Sequence, residues 1–87
     1  MGQIEILNTM MKYRLMGDDE YKSPKSVYQD LQKNGHQIPN VAAKLNKLYE
    51  FGYLERKELG MWRNAYRSRL TVARSLGKKT INMERIK

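Results

Sequence analysis

The 87-residue chain contains no cysteine and a single histidine, His36. The absence of cysteine excludes disulfide bonds and thiolate metal sites. The sequence also lacks a histidine–carboxylate cluster, a glycine-rich phosphate loop and a nucleophile–base pair, and its one acidic run, residues 18–20, is typical of a solvated loop. We therefore expect no enzyme activity, no metal site and no cofactor.

Long hydrophobic runs are absent as well. No apolar stretch approaches the roughly 18 residues that a membrane span requires, and the N-terminus lacks the form of a signal peptide. Apolar residues nevertheless make up 40% of the chain, which is enough for a core. We expect one small cytoplasmic domain with no membrane contact and no small-molecule ligand, near the size limit at which dimerisation adds useful buried surface.

Negative charge is scarce in the last third of the chain. Residues 1–55 contain seven Lys/Arg and seven Asp/Glu, whereas residues 56–87 contain ten Lys/Arg and two Glu. The whole net charge of +8 therefore belongs to one end. Basicity confined in this way indicates a polyanionic partner that meets that end, although a solvated basic tail would have the same composition.

Residues 1–17 are predicted to form a first helix with two apolar stripes. Ile4, Leu7, Met11 and Leu15 recur at spacings of three and four, which is typical of one helix face. A second stripe lies on roughly the opposite side. Either the helix is sandwiched inside its own fold, or the second stripe contacts a sister subunit. The candidate dimer-interface residues are Ile6, Met10 and Tyr13, with Trp62 added from a later turn.

Residues 23–52 are predicted to contain two further helices joined by a tight turn. Ser23 followed by Pro24 is a favourable helix start, and Asn34-Gly35 is a favourable end. Pro39 is predicted to open the third helix, which ends near Gly52. At 100° per residue, its core sector contains Ile38, Val41, Ala42, Leu45, Leu48 and Tyr49, with Asn40, Ala43, Lys47 and Glu50 opposite.

Residues 53–72 are predicted to form a β-hairpin. Tyr66, Ser68 and Leu70 alternate with Arg67 and Arg69, which is the period-two pattern of a half-buried strand. Gly60 and Asn64 are suited to the bend between the two strands. The basic tail, residues 73–87, fits a short helix, an edge strand or a frayed end.

This order of elements resembles the winged helix-turn-helix domain: three helices and a basic two-stranded hairpin. The most specific motif is Leu45-x-x-Leu48-x-x-x-Gly52-x-Leu54. It is similar to the end of the recognition helix and the first wing strand in regulators of the multiple-antibiotic-resistance and arsenic-repressor types. The resemblance covers about residues 4 to 72. It implies a mainly α domain with a small antiparallel hairpin, which binds double-stranded DNA as a homodimer and regulates transcription.

The resemblance also implies roles for particular residues. The helix at about residues 39–51 would enter the major groove, and the wing would follow the backbone or minor groove. Asn40 would pair with adenine, unless it only caps its helix. Ser23 and Lys25 would hold a phosphate at the start of the second helix, although Ser23 also fits a plain cap. The implied DNA-binding residues are Ser23, Lys25, Pro39, Asn40, Ala43, Lys44, Lys47, Arg63, Arg67 and Arg69.

Two other functions fit the same residues. Winged helices also serve as docking modules in protein assemblies, and the two-sided first helix together with Trp62 would suit that use. The basic hairpin and tail would also suit RNA, because positive charge alone does not distinguish polyanions. A-form RNA differs in one respect, since its narrow major groove excludes a helix.

Overall fold

The structure is a computed structural model, and it describes residues 2–61 and 63–77. This part of the chain contains four α-helices, one antiparallel hairpin and a π-helical turn, so the predicted helix-plus-hairpin class is confirmed. No helix within it has the length and apolar character needed to cross a membrane. In chain order the elements are α1 (Gln3–Leu15), α2 (Pro24–Lys33), α3 (Val41–Glu50), β1 (Leu54–Gly60), β2 (Arg63–Ser68), α4 (Leu70–Val72) and the π-helical turn (Ala73–Gly77).

One apolar core joins the three long helices to the hairpin. Leu45, Leu48 and Leu54 pack into it together, as their spacing predicts. Gly52 adopts φ +88°, a left-handed conformation that lets the chain turn sharply from α3 into β1. The buried members of this core are Ile6, Met10, Val27, Leu31, Ile38, Val41, Leu45, Leu48, Leu54 and Tyr66.

Helix α1 directs its Ile6 stripe into the core of its own chain. Ile6 and Met10 are 0% and 1% exposed, and Tyr13 packs against the same cluster while its hydroxyl donates to Asp30 on α2. The expectation that Ile6, Met10 and Tyr13 form a dimer face is therefore wrong, because α2, α3 and the hairpin already cover that side. On the other stripe Ile4 is 72% exposed, whereas Met11 is 2% exposed and Leu7 packs against the core, so this stripe is also partly buried within the chain. Trp62, the fourth predicted interface residue, lies outside the described residues.

The starts of α2 and α3 differ in kind. At α2, Ser23 Oγ accepts a 3.2 Å hydrogen bond from the Ser26 backbone N–H, and Pro24 is the first helical residue, as predicted. Helix α3 begins at Val41 rather than at Pro39, because Asn40 adopts a left-handed φ of 55° that no helix can continue through. Ala42 is exposed, so the core-facing sector of α3 is narrower than predicted.

The hairpin is shorter than predicted. β2 ends at Ser68, and Leu70 begins α4, where it is 37% exposed instead of continuing the buried alternation. The base of the hairpin is also held from the α1–α2 connection: Lys22 and Tyr66 exchange two backbone hydrogen bonds of 2.7 and 2.9 Å. Of the tail, residues 73–77 form the π-helical turn, and residues 78–87 lie outside the described part.

The Tyr13–Asp30 contact makes the stability of the fold depend on pH at the alkaline end. Burial, followed by the hydrogen bond to Asp30, raises the pKa of Tyr13 above its ordinary value of 10.0. The neutral phenol is thus favoured by folding, so its contribution is complete below pH 10 and is lost as the pH rises towards the folded pKa.

Replacing Tyr13 by phenylalanine should remove this dependence. At pH 7 we expect Tyr13→Phe to be less stable by about 1 kcal/mol, the net value of one hydrogen bond. Above pH 10 the difference between the two free energies of unfolding should shrink. The reason is that only the wild type must protonate Tyr13 in order to fold. Urea denaturation of both proteins between pH 7 and 11 measures this. If the free energies of unfolding of the two proteins differ by the same amount at every pH, the Tyr13–Asp30 contact is not the source of the pH dependence.

Candidate nucleic-acid interface

The outward side of α3 carries small and polar side chains. Asn40, Ala43 and Lys47 are all exposed, and they lie opposite the buried Val41 and Leu45. Lys47 forms no ion pair with any residue of the described part, so its charge is uncompensated there. The face predicted from helical periodicity is therefore present, and it is free of core packing.

Asn40 stands at the start of this face in an unusual backbone conformation. Its φ and ψ are 55° and 45°, and its side chain makes no capping hydrogen bond to α3. Asparagine is one of the few residues that adopts this conformation readily. Position 40 thus requires a residue that tolerates a left-handed backbone. The carboxamide is exposed to solvent and does not cap α3.

A groove between α2 and α3 brings three predicted site residues together. Lys25 lies on one wall, and Pro39 and Asn40 lie on the other. Ser23, just before α2, uses its hydroxyl as a plain cap rather than presenting it to the groove. The groove has a volume of about 750 Å³ and is lined by Pro24, Lys25, Tyr28, Gln32, Gln37, Ile38, Pro39, Asn40 and Val41.

Lys44 differs from Lys47 although both belong to α3. The Nζ of Lys44 donates a 2.6 Å hydrogen bond to the backbone carbonyl of Pro39, and its side chain is half-buried at the flank of the helix. This contact holds the Pro39–Asn40 turn close to the first turn of α3. Lys44 is therefore tied to the backbone that positions the face, whereas Lys47 projects from it.

The three predicted arginines of the hairpin do not lie together. Arg63 is exposed at the tip, and Arg69 lies past the base, six positions along the chain and thus about 20 Å away. Arg67 lies between them with its guanidinium engaged: it donates to Glu55 at 3.2 Å and to the Asp19 carbonyl at 2.8 Å. The hydrogen bond to Glu55 raises the pKa of Arg67 above its ordinary value.

Arg56 on β1 is an exposed residue that is absent from the DNA-binding residues predicted from the sequence. Its guanidinium lies over the Tyr49 ring, 4.3 Å from the centroid, and its Nη1 donates a 2.8 Å hydrogen bond to Asn46 Oδ1. Both partners belong to α3, so Arg56 joins the hairpin to the flank of the outward face. The spacing Leu54-x-Arg56 indicates this position, because residues two apart on a strand share a side and Leu54 points towards the core.

The acidic run between α1 and α2 is used for ion pairs. Asp18 pairs with Lys22 at 2.6 Å, and this hydrogen bond, followed by one from the Glu20 backbone N–H, lowers the pKa of Asp18. Asp19 pairs with Arg14 at 2.8 Å. Across residues 2–61 and 63–77, no group of three or more histidine, cysteine or acidic side chains is arranged to hold a metal ion.

Comparison of the chain with protein-family models, with curated proteins and with solved structures gave no match in any of the three cases.

Proposed function

We propose that this chain is a sequence-specific double-stranded DNA-binding protein of the winged helix-turn-helix type, which regulates transcription as a homodimer and has no catalytic activity. One observation carries the proposal: the exposed face of α3 continues into charged residues on both neighbouring elements. Lys25 lies across the groove from Asn40, and Arg56 contacts Asn46 on the other flank. A helix that enters the major groove needs backbone contacts on either side to fix its register.

The support for the hairpin comes from its attachment to the helices. Leu54 anchors β1 in the shared core, and the Lys22–Tyr66 bridge ties β2 to the segment that precedes α2. A hairpin held at its base on two sides keeps a defined position beside α3. Such a hairpin is suited to act as a wing, because backbone contacts are useful only when their distance from the recognition helix is constant.

Asn40 is the proposed reader of a base edge, since a carboxamide pairs with adenine through both its donor and its acceptor. Its left-handed φ of 55° decides which variant tests this role. Alanine would remove the side chain but would also strain the backbone by roughly 1–2 kcal/mol. Glycine removes the same side chain and accepts the same conformation.

We expect Asn40→Gly to lose about 1–3 kcal/mol of discrimination at one base pair of each half-site while it keeps most of its affinity for random duplex. Mobility-shift titration of a duplex selected from a random pool and of a random duplex measures both quantities. Asn40→Ala serves as the comparison, because its added backbone strain should lower thermal stability as well. Equal discrimination by wild type and Asn40→Gly would remove Asn40 from the reading surface.

Selection of bound duplexes from a random pool tests the proposed function itself. A two-fold symmetric consensus is the expected result, because a homodimer reads two equivalent half-sites. Binding should also weaken steeply as salt increases, since phosphate contacts release counterions. Failure of the wild-type protein to bind any duplex at low salt would refute the proposal. Preferential retention of structured RNA over duplex in a competition would refute it as well.

A docking function is the second candidate, and a different surface favours it. Ile4 and Phe51 are 72% and 67% exposed, and they border a shallow groove between the start of α1 and the end of α3. Apolar side chains that project together from so small a domain favour contact with another protein chain. The groove has a volume of about 460 Å³ and is lined by Gln3, Ile4, Leu7, Leu48, Phe51, Tyr53 and Leu76.

Analytical ultracentrifugation with and without duplex separates the two functions, because a monomer with no duplex affinity would favour docking.

A further inference from the structure

The register of the hairpin assigns its two central arginines to opposite faces. Arg56 pairs with Tyr66, and Glu55 pairs with Arg67. Side chains of directly paired residues lie on the same face of a sheet, and successive residues alternate between faces. Tyr66 is buried in the core, so Arg56 lies on the core-facing side next to α3, whereas Arg67 lies on the side turned away from it.

Arg67 makes three contacts within the chain, one of them an ion pair. Besides the bonds to Glu55 and to the Asp19 carbonyl, its guanidinium lies 4.4 Å from the centroid of the Tyr21 ring. These partners come from β1 and from the α1–α2 connection. Arg67 therefore attaches the hairpin to the α1–α2 connection, and its charge is paired with that of Glu55.

Arg56 is also held by contacts within the chain, but unlike Arg67 it has no acidic partner among the described residues. Tyr49 and Asn46 hold its guanidinium in place, yet none of the ion pairs among residues 2–61 and 63–77 includes it. Asn46 engages one of the five N–H donors that a guanidinium carries. Asn46 is itself oriented by Glu50, whose Oε1 accepts a 3.2 Å hydrogen bond from its Nδ2.

An arginine that is ordered but has no carboxylate partner is pre-organised for an external anion. Much of the rotamer entropy of the long side chain is already lost before any ligand arrives. The planar fork that remains matches the two oxygens of a phosphodiester. The position beside α3 fits a backbone phosphate at the edge of the groove that α3 would enter.

We infer that Arg56 is a phosphate-contact residue of the DNA interface, with Tyr49 and Asn46 as the residues that position it, and that Arg67 makes no phosphate contact. This inference rests on the proposed function and deepens it. It assigns the phosphate contact of β1 and β2 to Arg56, whereas the sequence predicted one from Arg67. It also makes the recognition helix and the hairpin one binding unit, because the hairpin contact is aimed by two side chains of the helix.

The two arginines provide their own matched pair of variants. Arg56→Ala and Arg67→Ala remove the same side chain from the same hairpin and lower the net charge equally. The measurement is the affinity for the selected duplex at four or five salt concentrations. We expect Arg56→Ala to reduce the slope of log K against log salt by about 1.8, because the homodimer carries two copies of Arg56 and each phosphate contact on B-DNA contributes about 0.9. Arg67→Ala should keep the wild-type slope, even if the looser hairpin lowers affinity at every salt concentration.

The positioning role of Tyr49 has a separate readout. Tyr49→Phe keeps the ring face and should keep both affinity and slope, whereas Tyr49→Leu keeps apolar packing but loses the ring and should weaken binding. If Tyr49 acts through Arg56, Tyr49→Leu should cost little more in a protein that already carries Arg56→Ala. Additive losses in the double variant would show that the tyrosine acts only through stability.

The outcomes separate this inference from the proposed function. Duplex binding by the wild type with an unchanged slope in Arg56→Ala would overturn the role of Arg56 and leave the DNA-binding function intact. A slope reduced by about 1.8 in Arg67→Ala would overturn the inference that Arg67 makes no phosphate contact. Absence of duplex binding by the wild type at low salt would overturn the proposed function and this inference with it. Circular dichroism of each variant confirms folding before its binding is compared.

Discussion

Replacement of Leu54 by alanine is expected to destabilise the domain by about 2–5 kcal/mol, the cost of removing a buried leucine side chain and leaving a cavity. Leu54 is 0% exposed and belongs to the core that the helices and the hairpin share. A domain of this size has only about 5–15 kcal/mol of total stability. The variant should therefore melt far below the wild type, and the hairpin should lose its attachment to α3.

Leu59 provides the matched control on the same strand. It is 56% exposed, so Leu59→Ala removes the same atoms from a site that is already in water. A change within about 0.5 kcal/mol is expected for such a surface position. Urea denaturation followed by circular dichroism measures both variants. Similar losses in the two proteins would mean that Leu54 is not the anchor of the hairpin.

Ala43→Glu is expected to abolish duplex binding without unfolding the protein. Ala43 is exposed at the middle of the outward face of α3, where a small side chain allows close approach to a groove. Glutamate is compatible with a helix at a cost of a few tenths of a kcal/mol. Its carboxylate would meet the phosphates, and like charges at an interface cost several kcal/mol. The affinity should therefore fall by about 100-fold or more, at 1.4 kcal/mol for each tenfold change.

Two controls separate the possible causes of that loss. Lys12→Ala lowers the net charge by the same single unit, but at an exposed site on α1 outside the proposed surface, and it should change affinity only slightly. Ala43→Gln adds almost the same bulk as Ala43→Glu without its charge, so it isolates the steric part. Mobility-shift titrations at low salt compare all three. If Ala43→Glu binds as well as Lys12→Ala, then α3 does not enter the groove.

Much of the fold could be predicted because its cues are local. The pair Ser23-Pro24 starts α2 with the expected cap, and the leucines of α3 return to one core with Leu54. These signals depend on neighbours within a few residues, where backbone geometry leaves few choices. The pattern predicts too late an end for β2, because the alternation continues through Arg69 and Leu70 although the chain has already turned into α4.

The candidate site was predictable to a lesser degree. The outward face of α3 follows from helical periodicity, so Ala43 and Lys47 were correctly placed on the surface. The alternation along the strands indicates the faces of Arg56 and Arg67, but composition counts the two as equal charges. Only the tertiary contacts show that Arg56 packs on α3 while Arg67 is paired with Glu55.

The sequence by itself determined the helical and extended segments, the turn at Gly52 and the concentration of positive charge towards the C-terminal end. These are properties of composition and of short-range spacing. Tertiary structure alone decided how far each stripe of α1 is buried within the chain and which arginine keeps an uncompensated charge. The reason is physical: whether Ile6 is covered, or whether Arg56 has a carboxylate within reach, depends on segments distant in sequence that only folding brings together.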